Sequence, residues 1–263
     1  MDVPSHATCF YGVVSDTIFS NRQVKMITVV TVCYNSEDTI EETMQSVLCQ
    51  TYEDKEYLII DGNSSDRTMD IVRKYDTCDC IRAISEPDSG LYDAMNKSLG
   101  MAKGDYIIFL NSGDVFCDEN VLQDMSAHLT EDIVYGNVIR RKHSGDVVEK
   151  YPGKYKLFWL LLQGKMVSHQ VLFTKTDIMR KYGFDESYKI TADFNFLVRA
   201  VHDKCSLHYV DRNVSIMENR EGISARPENL NIMRAEDDRS IKEYFPFLYY
   251  VLKPVKYVAR RLM

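Results

Sequence analysis

Long apolar runs and paired cysteines are both missing from this sequence. No segment reaches the roughly 18–20 consecutive apolar residues that a membrane-spanning helix needs. Residues 1–25 carry scattered charges instead of the apolar core of a signal peptide. The seven cysteines are an odd number and form no C-x-x-C pair, which disfavours a disulfide framework. These absences predict a reduced, cytoplasmic protein.

An excess of basic charge is missing as well, and so are several common enzyme motifs. The formal net charge of −7 disfavours nucleic acid as a partner. After the first apolar strand the sequence reads Thr31-Val32-Cys33-Tyr34-Asn35, without the G-x-G-x-x-G loop of dinucleotide enzymes. A Walker loop, a G-x-S-x-G elbow and an H-E-x-x-H pair are also absent, which disfavours ATPases, serine hydrolases and zinc peptidases.

What the sequence does contain is a regular alternation of strands and helices. Apolar runs predict strands at 27–33, 57–60, 81–84 and 106–110, with helices beginning near residues 36, 67 and 91. Strands joined by helices predict an α/β fold with a mostly parallel, Rossmann-like central sheet flanked by helices. Beyond residue 115 the pattern loosens, which predicts a mixed second half with a helix near 119–128 and strands at 133–138 and 171–173.

The most informative stretch runs from residue 88 to residue 114. A helix is predicted to begin near Leu91, and the strand that follows it ends in Asn111-Ser112-Gly113-Asp114. A carboxylate at the carboxyl end of such a strand lies where α/β sheets bind ligands, and it can hold a divalent cation against a diphosphate. This stretch predicts an enzyme that handles an activated, phosphate-bearing donor.

Two further acids have two readings each. Asp61 ends the second strand, where a side chain can accept hydrogen bonds from a base or a ribose. Asp61-Gly62 is equally typical of a turn. Asp88 precedes the helix near Leu91, so it is a candidate for donor binding and also for capping that helix.

Several segments, in this order along the chain, resemble glycosyltransferase family 2. They are residues 31–35, 46–52, 59–68, 88–114, 168–170 and 191–193. The resemblance implies a GT-A fold and a nucleotide-diphosphate sugar as donor, with a UDP-sugar favoured and a GDP-sugar possible. It also implies a divalent cation, Mg²⁺ or Mn²⁺, and transfer with inversion at the anomeric carbon by an enzyme of the hexosyltransferase type.

The resemblance also implies roles for particular residues. Asp114 corresponds to the second acid of the family's Asp-x-Asp metal motif, and Ser112 stands in place of the first acid. Asp193 corresponds to the catalytic acid and is expected to act as general base; the alternative is that it caps the following apolar helix. The donor-binding residues implied are Thr31, Tyr34, Asp61, Asp88, Lys97, Asn111 and Ser112.

Two basic side chains in this set have structural alternatives. His169 is a candidate for contact with the metal or the diphosphate, although a lone histidine is more often a structural hydrogen-bonding residue. Lys97 could offset diphosphate charge, although an exposed helical lysine needs no such role.

The predicted organisation has four parts. Residues 1–25 form an extension, 26–115 the nucleotide-sugar-binding half, 116–243 the acceptor-binding and catalytic-base half, and 244–263 an amphipathic basic tail. The tail is a candidate for peripheral contact with the inner face of the cell membrane. The alternative is a helix packed on the domain with solvated lysines.

The predicted function is inverting sugar transfer to a hydroxyl of a glycan or lipid-linked acceptor in surface polysaccharide synthesis. One alternative is a sugar-phosphate nucleotidyltransferase, which is disfavoured because the glycine-rich loop after the first strand is absent. The other is a non-catalytic nucleotide-sugar-binding scaffold that has lost the first acid of the metal motif.

Overall fold

The computed structural model describes residues 25–75, 78–141, 145–162, 164, 166–218 and 226–251. The predicted extension, apart from Lys25, lies outside these residues. So does the predicted tail beyond residue 251.

Nine strands in the described residues form one mixed sheet. They are β1 (Ile27–Cys33), β2 (Lys55–Asp61), β3 (Ile81–Ser85), β4 (Tyr106–Phe109), β5 (Val115–Phe116), β6 (Ile133–Arg141), β7 (Val147–Glu149), β8 (Leu172–Lys175) and β9 (Leu207–Glu218). Their order across the sheet is β3-β2-β1-β4-β8-β6-β9-β5, and β7 pairs with β6. The two predicted halves therefore share a single sheet.

Helices connect and cover these strands. They are α1 (Ile40–Leu48), α2 (Thr68–Arg73), α3 (Leu91–Met101), α4 (Val121–Ser126), α5 (Lys154–Leu162), α6 (Thr176–Tyr182), α7 (Ala192–His202), α8 (Leu230–Tyr244) and α9 (residues 246–251). None of the helices in the described residues is long and apolar enough to cross a membrane.

The first half confirms the predicted parallel sheet. Strand β1 pairs in parallel with β2 and with β4, and β2 pairs in parallel with β3. All seven residues of β1 are buried, as expected for a central strand covered on both faces.

Helix α1 begins at Ile40, a full turn later than the predicted start near residue 36. Asn35 has a left-handed φ of 47°, and its side-chain oxygen accepts a hydrogen bond from the backbone N–H of Ser65 at 2.9 Å. The backbone N–H of Ser36 donates to the hydroxyl of Thr68 at 2.7 Å. These two residues hold the neighbouring loop instead of capping α1, which is why the prediction was wrong there.

The second half brings distant segments to the carboxyl end of β4. Strand β8 is antiparallel to both β4 and β6, so β6 runs in the same direction as β4. Residues His169–Val171 form a 3₁₀ turn that leads into β8, so this strand begins at Leu172, one residue later than the predicted strand at 171–173. The end of β4, the entry to β8 and the end of β6 therefore meet at one edge of the sheet.

Close backbone approach at Gly104 leads to a stability prediction. A Cβ atom there would lie 2.6 Å from the backbone nitrogen of Thr28 and 2.9 Å from the carbonyl oxygen of Met26. We expect Gly104→Ala to lower the free energy of unfolding by about 1–3 kcal/mol, because the backbone of β1 must shift. Urea unfolding measures the change. Gly100→Ala is the control, since nothing lies within 4 Å of its Cβ position in α3 and a helical alanine is favourable.

Candidate active site

The turn 111–114 lies at the carboxyl edge of the sheet, directly after β4. The backbone N–H of Ser112 donates to the carbonyl oxygen of Val32 in β1 at 3.2 Å. The backbone N–H of Gly113 donates to the hydroxyl of Thr43 in α1 at 3.0 Å. The turn is thus fixed to the strand and helix that precede it in the fold.

His169 joins this turn to the start of α7. Its Nδ1 atom lies 2.8 Å from Oδ2 of Asp193, and its Nε2 atom lies 2.9 Å from the amide nitrogen of Asn111. Because the amide nitrogen donates to Nε2, the ring proton lies on Nδ1 and is donated to Asp193. The three predicted site residues form one chain of hydrogen bonds, although they come from different parts of the sequence.

Asp193 lies in the first turn of α7 and does not occupy the helix cap. The N-cap residue is Thr191, and Asp193 Oδ1 accepts the backbone N–H of Phe194 at 2.9 Å. The hydroxyl of Tyr92 lies 2.5 Å from the carbonyl oxygen of Ile190 and 3.4 Å from Asp193 Oδ1. Burial, and then the nearby Asp193 carboxylate, raise the pKa of Tyr92 well above its usual range. Tyr92 therefore stays a hydrogen-bond donor beside Asp193.

Glu236 of α8 fixes the loop immediately before Asp193. Its buried carboxylate accepts the backbone N–H groups of Lys189, Ile190 and Thr191 at 2.7, 3.1 and 2.9 Å. It also accepts the hydroxyl of Thr191 at 3.1 Å. The sequence analysis missed this residue, because a single acid in an amphipathic helix gives no local signal of a tertiary contact made 45 residues away.

Removing this carboxylate should displace Asp193 without touching the donor. With Asp193 as the general base that the resemblance implies, we expect Glu236→Ala to lower kcat by about 10–10²-fold with the donor KM unchanged, because misplacing a reacting group by about 1 Å has effects of this size. Initial rates and thermal melting measure both effects. Glu243→Ala, at an exposed position of the same helix, is the control. A variant that melts earlier but keeps the wild-type kcat would assign Glu236 to stability alone.

Asp114 lies beside two amide oxygens that have no hydrogen-bond partner. Its Oδ2 atom accepts the amide of Gln170 at 2.8 Å. Oδ1 of Asn111 and Oε1 of Gln170 are buried oxygens without a partner. Among the described residues, no three His, Cys, Asp or Glu side chains group together as metal ligands. One carboxylate with neutral oxygen donors is nevertheless a set that suits Mg²⁺ or Mn²⁺, which takes its other ligands from substrate phosphates and water.

Two predicted donor residues, Tyr34 and Asp88, follow the ends of β1 and β3. The ring of Tyr34 follows β1 and is largely exposed. A Cβ atom on Gly62 would lie 2.6 Å from Oδ2 of Asp88 and 3.3 Å from the Tyr34 ring. Asp88 also accepts, at 2.9 Å, the backbone N–H of Gly90, the residue directly before α3. The missing side chain at Gly62 leaves room for the Asp88 carboxylate to approach this aromatic ring.

Asp61 has a more internal position than the sequence predicted. It is fully buried, and it accepts hydrogen bonds from the hydroxyls of Ser64 and Ser85, each at 2.5 Å, and from the backbone N–H of Ser64 at 3.0 Å. Burial, and after it Asp61, raise the pKa of the Cys33 thiol, whose sulfur lies 3.7 Å from Asp61 Oδ1. The contacts with Ser64 are those expected if Asp61 stabilises the turn that begins with Asp61-Gly62.

Thr31, whose strand end is predicted to border the nucleotide, has an internal side chain. Its side chain is fully buried, and its hydroxyl bonds to the Leu110 carbonyl oxygen at 2.7 Å and to the Tyr57 hydroxyl at 2.8 Å. The Thr31 hydroxyl ties β1 to the residue that follows β4.

The remaining predicted donor residues are engaged in local contacts. Lys97 Nζ donates to the Pro87 carbonyl oxygen at 2.6 Å and lies 3.2 Å from Glu86 and 3.7 Å from Asp93. Its charge is already shared by two carboxylates. The Ser112 hydroxyl lies 2.9 Å from that of Thr39.

Arg140, at the end of β6, is a second residue that the sequence analysis missed. Its guanidinium forms an ion pair with Glu149 and donates to the hydroxyl of Ser168 at 3.3 Å. Ser168 directly precedes His169, and its hydroxyl lies 3.4 Å from that of Tyr151. Arg140 and Tyr151 therefore help to hold the residue from which the His169 turn begins.

The family model and the relatives that match this chain are all glycosyltransferases. Residues 28–187 match the family model described as glycosyl transferase family 2. A glycosyltransferase of Mycobacterium tuberculosis is 32% identical over 182 residues, which cover 66% of this chain and 68% of that protein. The Escherichia coli UDP-Glc:alpha-D-GlcNAc-diphosphoundecaprenol beta-1,3-glucosyltransferase WfaP is 32% identical over 112 residues, covering 43% of this chain and 45% of the relative.

A solved structure shares the fold at lower sequence identity. Staphylococcus aureus TarS, residues 1–349 in complex with UDP-GlcNAc, superposes with a TM-score of 0.67 and 19% identity. The match covers 84% of this chain and 67% of the TarS chain. The α/β architecture is therefore that of GT-A glycosyltransferases, as the sequence predicted.

Proposed function

The chain belongs to glycosyltransferase family 2, and from that membership we propose that it transfers a sugar from a nucleotide-diphosphate donor to an acceptor hydroxyl with inversion. The observation that carries the proposal is the His169–Asp193 pair at 2.8 Å, in which Asp193 is buried and His169 largely buried, on the same sheet edge as the acidic turn that ends in Asp114. We assign donor binding to residues 26–115 and the base and acceptor contacts to residues 116–243.

Asp193 is the general base in this proposal. The acceptor oxygen forms a bond to the anomeric carbon while the bond from that carbon to the diphosphate oxygen breaks, and the acceptor proton passes to the Asp193 carboxylate. Attack from the side opposite the leaving group inverts the configuration. His169 donates its Nδ1 proton to Asp193 Oδ2, so it acts as a positioning residue that fixes the carboxylate.

Asp114, Asn111 and Gln170 supply the oxygen atoms that would hold a divalent cation beside the diphosphate. When bound, such a cation neutralises charge that develops on the departing diphosphate. The predicted metal contact of His169 is given up in this proposal, because both ring nitrogens bond to protein side chains. Asn111 and Ser112 remain proposed neighbours of the diphosphate.

Tyr34 and Asp88 border the nucleotide in this proposal. The exposed Tyr34 ring can stack on a base, and the missing side chain at Gly62 lets the Asp88 carboxylate lie near that ring. Asp61 supports this site indirectly by holding the turn that contains Gly62. Lys97 is proposed to fix the loop before α3 through Pro87, instead of binding phosphate itself.

The proposed acceptor is a glycan or a lipid-linked glycan of a surface polysaccharide, reached at the inner face of the cell membrane. The name of the Escherichia coli relative, which states a diphosphoundecaprenol acceptor, supports this choice. A UDP-sugar is the favoured donor.

Release of nucleoside diphosphate tests the proposal. The full chain is supplied with a panel of UDP-, GDP- and dTDP-sugars, Mg²⁺ or Mn²⁺, and undecaprenyl-diphosphate-linked monosaccharides. We expect acceptor-dependent release with at least one donor, and NMR of the product should show the inverted anomer. Release of pyrophosphate from a sugar phosphate and a nucleoside triphosphate would instead support the nucleotidyltransferase alternative. A retained anomeric configuration would contradict the proposed mechanism.

A further inference from the structure

We infer that α5 and α9 form a membrane-docking surface for anionic phospholipid, which we call the aromatic patch and define by Trp159, Phe247, Tyr250 and Val251. Each of these side chains is more than half exposed. The inference rests on the proposed function only for its purpose, which is access to a lipid-linked acceptor. Docking itself requires neither donor nor acceptor.

The arrangement of α9 is the first observation. Its inward residues Leu248 and Tyr249, with Phe245 before it, pack against the core, so α9 is held on the domain. Phe247, Tyr250 and Val251 follow the i, i+3, i+4 spacing of one helical face and point outward. A helix that packs one apolar face on the protein and exposes a second apolar face has a surface to bury elsewhere.

The second observation joins α5 to this surface. The Phe158 ring lies 5.6 Å from the ring of Trp159 and 5.5 Å from the ring of Phe245, measured between centroids. Phe158 therefore brings α5, the helix that carries Trp159, next to the residue that directly precedes α9. Tryptophan and tyrosine are the side chains preferred at a membrane–water interface, because each combines an apolar ring with a polar atom.

Basic residues in α5 and in the sequence after α9 favour an anionic membrane surface as the partner of the aromatic patch. Lys154 and Lys156 of α5 are exposed, and α5 has no acidic residue. The twelve residues 252–263, which follow α9 in the sequence, contain Lys253, Lys256, Arg260 and Arg261 and no acid. Exposed aromatic rings beside a helix that carries two exposed lysines, followed in the sequence by a basic segment on a chain whose net charge is −7, match a surface of anionic headgroups over hydrocarbon.

The position of the patch is compatible with the proposed chemistry. Phe245 packs on His202, the last residue of α7, with ring centroids 5.5 Å apart. Asp193 lies in the first turn of the same helix, nine residues earlier, or about 14 Å away at 1.5 Å per residue. The proposed base thus lies about the length of α7 from the docking surface. A glycan that extends from a lipid diphosphate can span this distance.

Co-sedimentation of the full chain with vesicles tests the inference. We expect binding to vesicles that contain phosphatidylglycerol and much weaker binding to pure phosphatidylcholine. Binding should also be lost at about 1 M salt, where the Debye length is about 3 Å. The double variant Trp159→Ser, Phe247→Ser should lower partitioning at least about tenfold, and each neutralised lysine or arginine near the surface about fivefold.

Leu230→Ser is the matched control. Leu230 is also an exposed apolar residue, but it lies at the opposite end of α8 from Tyr244, about 20 Å away. We expect wild-type partitioning from this variant, and wild-type release of nucleoside diphosphate with a water-soluble acceptor from all variants.

Three results would overturn the inference. One is equal binding to neutral and anionic vesicles, and another is wild-type partitioning of the double variant. The third is a pair of results: wild-type protein does not bind vesicles, and it forms a dimer in sedimentation velocity that is lost in the double variant. This outcome would assign the patch to contact with a second copy of this chain. Loss of transfer in solution with intact vesicle binding would contradict the proposed function and leave the docking surface standing.

Discussion

Replacing Asp193 with Asn is expected to lower kcat by about 10²–10⁴-fold, the usual contribution of a general base, which is the role proposed for Asp193. Asparagine keeps the size of the side chain and can still contact His169, but it cannot accept the acceptor proton. Donor affinity should be unchanged, because Asp193 lies in α7, apart from the Tyr34 and Asp88 end of the site. Single-turnover rates and calorimetric titration of nucleoside diphosphate measure the two quantities.

Asp177→Asn is the control for this variant. Asp177 is also an aspartate in the first turn of a helix, but its side chain is 95% exposed on α6. His169→Gln should give a smaller loss than Asp193→Asn, since it removes only the group that positions the carboxylate. Wild-type turnover by Asp193→Asn would refute the base assignment, and unchanged cellular function of that variant would favour the non-catalytic scaffold.

Replacing Asp114 with Asn is expected to have the second-largest effect. Asparagine retains an oxygen ligand but removes the negative charge closest to the proposed cation. Charge stabilisation by a metal contributes several kcal/mol, so we expect kcat/KM to fall by about 10²–10³-fold. The cation concentration at half-maximal rate should also rise. Initial rates over a range of Mg²⁺ and Mn²⁺ concentrations measure this change.

Asp118→Asn, in the same segment, separates the metal effect from a general loss of charge. Asp118 is partly exposed and pairs with Arg212 at 2.5 Å, outside the proposed site. We expect this variant to keep the wild-type cation dependence. If Asp114→Asn also keeps that dependence, the cation is held elsewhere or is not needed for turnover.

Local patterns in the sequence were sufficient to predict the strands and helices of the first half of the chain. The apolar runs of β1, β2 and β4 have the length and continuity of buried parallel strands, and amphipathic segments lie between them. Boundaries were less predictable. The start of α1 depends on the side-chain contacts of Asn35 with a loop 30 residues away, and no local pattern records such a contact.

The site residues also fall into two groups, those whose position could be inferred from the sequence and those whose position could not. Tyr34, Asp88 and Asp114 directly follow or precede predicted elements, so their position at the sheet edge could be inferred from the sequence. Thr31 could not be judged, because period-two alternation does not show which hydroxyl inside a fully buried strand is satisfied by a neighbouring strand. Glu236 was missed because its three backbone partners belong to another part of the chain.

The family, the α/β class and the acids that end the strands can be inferred from the sequence alone, because they follow from local apolar pattern and from motifs in a fixed order. Which of these groups lie together depends on the tertiary structure. The insertion of β8 between β4 and β6 brings His169 to Asn111, 58 residues away, and to Asp193 in α7. That meeting depends on strand direction and order across the sheet, which are set by packing of the whole chain and not by any local run of residues.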